Sequence, residues 1–137
     1  MNAAPMPVIA GLYAGLIALF LMFLATRVSR LRHAVRVGVG DGGDKRLARA
    51  IRVHGNAVEW ALPVLLLLLI AELNRAPALL LHVCGVALLI GRVMHAVGVS
   101  NSSGMSLGRF AGMGITWVVL LALAGWDIWA FARLALV

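Results

Sequence analysis

The sequence predicts an all-α integral membrane protein in which four transmembrane helices form one bundle. Its 137 residues are 63% hydrophobic and only 12% charged, whereas a typical soluble domain is about 45–50% apolar and about 25% charged. The apolar residues fall into four long blocks, and about 20 such residues in a helix cross the hydrocarbon core of a bilayer. The length allows a single domain over residues 1–137.

Hydropathy and turn residues set the expected bounds of each helix. The first should cover about residues 7–26, followed by a basic stretch and a turn rich in glycine and aspartate. Asp44 at the end of that turn is a favourable N-cap, so the second helix should cover about 44–73 and bend near Pro63. A short turn over 74–77 leads to a third helix at about 78–97, and the fourth should cover about 109–133.

The basic residues indicate how the helices lie in the membrane. Eight of the twelve fall between Arg27 and Arg52, and loops rich in Lys and Arg stay in the cytoplasm. We therefore expect loops 27–52 and 98–109 to be cytoplasmic and both termini to be non-cytoplasmic, as in a multi-pass protein of a bacterial inner membrane. This topology accounts for the net charge of +7, and the sequence predicts no nucleic-acid partner.

Three polar side chains lie on the predicted second helix, just before Pro63. Arg52, Asn56 and Glu59 are spaced i, i+4, i+7, which places them along one face of a helix. A charge at membrane depth costs roughly 2.5–3.5 kcal/mol on insertion scales, and such residues usually face a bundle interior or a water-filled cavity. The stripe therefore indicates either a binding site or a polar network that joins helices.

The predicted topology brings further polar residues to the same depth: Arg30 just after the end of helix one, Arg92 and His95 on helix three, and Arg109 at the start of helix four. Guanidinium groups bind carboxylates through paired hydrogen bonds, and a carboxylate in the same site can receive an ammonium group. This set suits a zwitterion with several carboxylates, such as glutathione, beside a lipophilic second substrate from the bilayer. No metal site is expected, because the histidines form no HxxxH or HExxH pair.

Two segments of the chain resemble a known family. Residues 52–63, RVHGNAVEWALP, and residues 91–98, GRVMHAVG, are similar to the MAPEG family of membrane-associated proteins in eicosanoid and glutathione metabolism, and the Gly-rich turn resembles its short bacterial branch. The resemblance implies a homotrimer in the lipid membrane that binds glutathione between neighbouring subunits near the cytoplasmic face. It also implies that Arg109 stabilises the glutathione thiolate and that the other contacts come from Arg30, Arg52, His54, Asn56, Glu59, Trp60, Arg92 and His95.

One position departs from the family pattern. Characterised eukaryotic members carry a tyrosine seven residues after the helix-three arginine, where this chain has Val99. The predicted function is a glutathione-dependent membrane transferase or peroxidase. The alternatives are a MAPEG-fold protein without turnover and a small proton-coupled transporter that uses Glu59. The polar residues on helices one, three and four could instead serve topology, interface anchoring or packing, and the sequence does not name the second substrate.

Overall fold

The computed structural model describes residues 6–101, 104 and 106–135, with backbone only for residues 134 and 135. Its helices are α1 (Val8–Val35), α2 (Lys45–Leu73), α3 (Ala78–Asn101) and α4 (Leu107–Ala135). Each is long and apolar enough to cross a membrane, and the described residues contain no strand. The predicted all-helical membrane fold is confirmed.

Helix α1 extends well beyond its predicted end. It continues from the apolar block through the basic stretch to Val35 rather than ending near residue 26, because Arg, Leu and Ala all favour helical backbone. It ends where Arg36 adopts a left-handed φ of 57°. Part of the segment predicted as a cytoplasmic loop is therefore helical. In the same way α3 continues to Asn101 and α4 begins at Leu107.

The turn between α1 and α2 has the structure that its residues predict. Asp44 is the N-cap of α2, and its carboxylate accepts hydrogen bonds from the backbone N–H groups of Arg46 and Leu47. The Leu47 hydrogen bond in particular holds the pKa of the Asp44 carboxyl below its usual value. Gly40, Gly42 and Gly43 take positive φ, which non-glycine residues rarely adopt.

Helices α2 and α3 form the centre of the bundle. Helix α1 packs against both of them, and α4 also packs against both, whereas α1 and α4 do not contact each other within the described residues. Large apolar side chains fill the centre, among them Ile17, Val64, Leu68, Leu88 and Leu123. Helix α2 is continuous through Pro63, and the bend expected there remains a prediction.

The carboxylate of Glu72 ties the end of α2 to the start of α1. It is buried and accepts hydrogen bonds from the backbone N–H groups of Ile9 at 2.9 Å and Ala10 at 2.6 Å. The first N–H groups of a helix lack intrahelical partners and carry the positive end of the helix dipole. Glu72 is therefore a structural cap at the end of the bundle opposite Arg52.

Candidate functional site

A pocket of about 240 Å³ opens where α2, α3 and α4 meet, near the predicted cytoplasmic end. Of the seven residues that the sequence predicts at one depth, the structure brings Arg52, Asn56, His95 and Arg109 to this pocket. Among the described residues its lining is completed by Val99, Ser106, Phe110 and Met113. Polar side chains from three helices thus line the pocket together with the apolar side chains of Val99, Phe110 and Met113.

Arg92 lies directly behind this pocket and does not line it. Its side chain is only 1% exposed. The guanidinium donates to the Thr116 hydroxyl from Nε at 3.0 Å and from Nη2 at 2.6 Å, and to the Gly112 carbonyl at 3.2 Å. It has no carboxylate partner among the residues whose side chains are described. Its visible role is to join α3 to α4 and α2.

The same guanidinium fixes the orientation of the Asn56 amide. Arg92 Nη1 donates to Asn56 Oδ1 at 3.1 Å, and both side chains are buried. Because a guanidinium has donors and no acceptor, the amide oxygen must face Arg92. The Asn56 amide nitrogen is then left for the pocket, where it offers two N–H donors. Asn56 is therefore set to bind an acceptor such as a carboxylate.

Arg109 reaches the pocket from the first turn of α4. Ser106 precedes that helix, and its hydroxyl accepts a hydrogen bond from the Arg109 backbone N–H at 3.3 Å. The start of a helix carries a partial positive charge, which adds to the Arg109 guanidinium. None of the described residues that line the pocket is a carboxylate. The whole arrangement favours an anion at this position.

Arg52 and Glu59 form an ion pair on the outer face of α2. Arg52 Nη1 and Glu59 Oε1 are 3.9 Å apart, and the two side chains are 64% and 56% exposed. Asn56 lies between them in sequence but is buried. The three polar residues predicted on one face of α2 therefore do not point the same way: Arg52 and Glu59 face outward, and the Asn56 amide faces inward. Two exposed charges on a membrane helix are costly unless water or another surface meets them.

The remaining predicted contacts lie outside the pocket. Arg30 on α1 lines a separate basic pocket of about 500 Å³ with Arg27, Arg46 and Arg49. His54 and Trp60 are partly buried on α2, and the Trp60 ring packs 6.0 Å from the Trp117 ring, centroid to centroid. A single chain therefore does not bring these side chains to Arg109.

Sequence analysis missed several residues that build the site. Ser106, Phe110 and Met113 line the pocket, and Thr116 anchors Arg92. A serine just before an apolar block is a recognisable N-cap signal, so Ser106 could have been found. The other three occur at helical spacing in an apolar run, where nothing in the sequence distinguishes them from core or lipid-facing residues.

Glycines bring α3 and α4 close enough to form the pocket. A Cβ on Gly98 would collide with the backbone nitrogen of Arg109, and a Cβ on Gly112 would lie 2.5 Å from the Gly91 carbonyl oxygen. Small residues allow such close approach between membrane helices. The position of Arg109 therefore depends on Gly98.

Replacing Gly98 with Ala should destabilise the protein by about 1–3 kcal/mol, because the added methyl group forces α4 away from α3. Thermal unfolding in detergent measures this loss. Gly125→Ala on α4 is the matched control, since a Cβ there meets nothing within 4 Å. Equal unfolding temperatures for the two variants would contradict the close packing at Gly98.

Comparison with known proteins decides the family. The model of the MAPEG family matches residues 10–129. The chain belongs to the MAPEG family. It is 42% identical to inner membrane protein YecN of Escherichia coli strain K12 over 121 residues, which cover 88% of this chain and 91% of that relative. YecN of Escherichia coli O6:H1 is similar to the same degree.

Family membership confirms the resemblance that residues 52–63 and 91–98 carry. Together with the four apolar helices and the inner membrane relative, it identifies this MAPEG protein as an integral inner membrane protein. The MAPEG family includes glutathione transferases, while the name of the relative specifies no activity. The reaction of this chain therefore has to be argued from its own pocket.

Proposed function

We propose that this MAPEG protein is a glutathione-dependent membrane transferase in which Arg109 stabilises the glutathione thiolate. The observation that carries the proposal is the donor set of the pocket. The pocket is lined by the guanidinium groups of Arg52 and Arg109, the oriented amide of Asn56 and the start of α4. None of its described lining residues is a carboxylate. Such a site selects an anion rich in hydrogen-bond acceptors.

Glutathione matches these groups because it carries two carboxylates, one ammonium group and a thiol. Arg52 and the Asn56 amide can each hold a carboxylate, and Glu59 beside Arg52 can receive the ammonium group. The thiol would then point toward Arg109. Val99, Phe110 and Met113 provide an apolar wall for a second substrate that enters from the bilayer.

The site supports an assembly of subunits. A volume of about 240 Å³ is below the roughly 300–1,000 Å³ of most small-molecule sites. The outer face of α2 exposes the Arg52–Glu59 pair and, further along, Leu62 and Leu66. A neighbouring subunit placed against this face would cover the charges and could bring its own Arg30 to the site. We propose the homotrimer of the family as that assembly.

In the proposed reaction the glutathione thiol loses its proton to water and the sulfur attacks an electrophilic carbon. In a substitution, a C–S bond forms and the leaving group departs with the electron pair of its bond to carbon. When the thiolate adds across a double bond, a C–S bond forms and the neighbouring carbon takes a proton. With a hydroperoxide the sulfur would instead attack the terminal oxygen: an S–O bond forms, the O–O bond breaks, and the alkoxide takes a proton and leaves as the alcohol. A second glutathione thiol would then attack the resulting sulfenic acid and give the disulfide and water. A free thiol has a pKa near 8.5, so the Arg109 cation is needed to populate the thiolate at neutral pH.

The membrane orientation is part of the same proposal. Arg27, Arg30, Arg46 and Arg49 lie at the end of the bundle that holds the pocket, and basic residues favour the cytoplasmic side. We therefore propose that the glutathione site lies at the cytoplasmic face of the inner membrane and that both termini lie on the other side. Cytoplasmic glutathione would then reach the site without crossing the bilayer.

A second candidate is a glutathione-binding protein that does not turn over. Val99 lines the pocket with methyl groups and is only 6% exposed, so this position offers no hydroxyl to the thiol. The transporter alternative is weaker, because it needs an unpaired carboxylate and Glu59 is paired with Arg52 at 3.9 Å.

Millimolar glutathione should raise the unfolding temperature of the purified protein in detergent, and Arg52→Ala should remove that increase. A ligand at 100 times its Kd stabilises the folded state by about 2.7 kcal/mol. Lys45→Ala is the control, since it removes an exposed cation of α2 that does not line the pocket. Absence of any increase in the unmodified protein would overturn the proposal. Binding without conjugation of any test electrophile would favour the second candidate.

A further inference from the structure

A second polar pocket lies at the opposite end of the bundle, where α2 ends and α4 ends. It has a volume of about 500 Å³, and its lining includes Asn74, Arg75, Trp126, Trp129 and Arg133. Leu73 at its edge is 21 residues beyond Arg52 on α2, so the two pockets are about 30 Å apart along the helix. Nothing in the proposed reaction uses this second pocket.

The charged groups of this pocket are positive. Arg75 and Arg133 have no carboxylate partner among the residues whose side chains are described, and the Arg133 guanidinium lies 5.4 Å from the Trp129 ring centroid. The two nearby acids do not neutralise them. Glu72 is occupied by the start of α1, and Asp127 has both carboxylate oxygens buried and does not line the pocket.

A buried donor lies beside the two arginines. The indole N–H of Trp126 is excluded from solvent and has no hydrogen-bond partner among the described residues. An unsatisfied buried donor costs about 1–3 kcal/mol. Because no solvent-sized atom reaches this N–H group, a ligand in the pocket would meet the two arginines and the accessible parts of the two indole rings instead.

The pocket lies at the end of helices that are long and apolar enough to cross a membrane. Pro77 on its rim leads directly into α3, where Leu79 and Val83 are exposed apolar side chains. Tryptophans such as Trp126 and Trp129 are typical of the membrane interface.

We infer that this end of the protein binds an anionic phospholipid. The phosphodiester group would lie between Arg75 and Arg133, while the acyl chains would lie along the apolar surface of the neighbouring helices. Guanidinium groups are well suited to phosphate oxygens, and a basic residue near a membrane surface attracts anionic lipid. The position of the two cations beside Trp126 and Trp129, at the end of helices that can cross a membrane, favours a lipid over a small free anion.

Quenching of tryptophan fluorescence by brominated lipids tests this inference. Trp60→Phe and Trp117→Phe together leave Trp126 and Trp129, both at this pocket, as the only tryptophans. The protein is reconstituted in brominated phosphatidylcholine vesicles with an increasing share of brominated phosphatidylglycerol. We expect phosphatidylglycerol to associate with this end roughly fivefold or more tightly than phosphatidylcholine. Arg75→Gln with Arg133→Gln should remove the preference.

Arg27→Gln with Arg30→Gln is the matched control, because it removes two cations from the other end of the bundle and should leave the preference intact. Equal association of the two lipids, or a preference that survives Arg75→Gln with Arg133→Gln, would overturn the inference. Inorganic phosphate at millimolar concentration should not change the quenching. If it abolished the preference, the pocket would be a site for free anions and not for lipid.

Discussion

Arg109→Gln should lower the rate of glutathione conjugation by roughly 10²–10³-fold, the usual effect of removing one electrostatic stabiliser of a reacting anion. The pKa of the bound thiol should return toward 8.5, because the only cation proposed to face the sulfur is lost. Glutathione affinity at a pH where the thiol stays protonated should change little, since Arg52 and Asn56 are retained. Steady-state conjugation kinetics and the ultraviolet absorbance of the bound thiolate, both followed against pH, measure these effects.

Lys45→Gln is the matched control for Arg109→Gln, because it also removes one exposed cation and lies outside the pocket. It should leave the kinetics and the thiolate absorbance unchanged. An Arg109→Gln protein with full activity and an unchanged pH profile would show that another group activates the thiol. Loss of affinity with an unchanged rate at saturation would assign Arg109 to binding alone.

Arg92→Ala should destabilise the protein by about 2–4 kcal/mol and weaken glutathione binding. The change removes a fully buried side chain and leaves a cavity, and it leaves Asn56 Oδ1 without its donor. Hydrogen bonds between membrane helices average only about 0.6 kcal/mol each, so most of the loss should come from the cavity. Unfolding in mixed micelles measures the stability, and calorimetric titration measures the affinity.

Asn56→Asp separates the two consequences of losing Arg92. It keeps the side-chain volume and an oxygen toward Arg92, but it replaces the N–H donors of the pocket with a second oxygen. It should therefore weaken glutathione binding while preserving stability better than Arg92→Ala does. If Asn56→Asp bound glutathione as tightly as the unmodified protein, the amide would not be a donor to the ligand.

The sequence could predict the helices but not all of their ends. Four apolar blocks are enough to place four membrane spans, and Asp44 after a glycine-rich turn is enough to place the start of α2. Hydropathy reports where a helix leaves the membrane, whereas helix propensity decides where the helix stops. This is why α1 continues to Val35 and α3 to Asn101.

The sequence predicts the depth at which each site residue lies in the membrane, but it predicts only partly the direction in which each side chain points. Topology alone brought Arg52, Asn56, His95 and Arg109 to one level, and the structure places all four on one pocket. The rotation of each helix about its axis decides which way a side chain points, and the sequence does not fix that rotation. Arg92 consequently lies behind the pocket, and Arg30 lines a different one at a similar depth.

Interactions between helices were the least predictable features. Thr116 holds Arg92, and Glu72 caps a helix more than sixty residues away. Each depends on a contact between distant segments that leaves no local pattern. A charge at membrane depth is recognisably costly, but the sequence does not name the groups that offset this cost for Arg92 and Glu72.

A structure of the assembled protein with bound glutathione would show directly which group faces the thiol. We expect the glutathione sulfur to lie within about 4 Å of the Arg109 guanidinium, close enough for an ion pair that favours the thiolate. We also expect the Asn56 amide nitrogen to contact a glutathione carboxylate and a neighbouring subunit to cover the Arg52–Glu59 pair. A sulfur bound far from Arg109, or glutathione held entirely within one subunit, would contradict the proposed site.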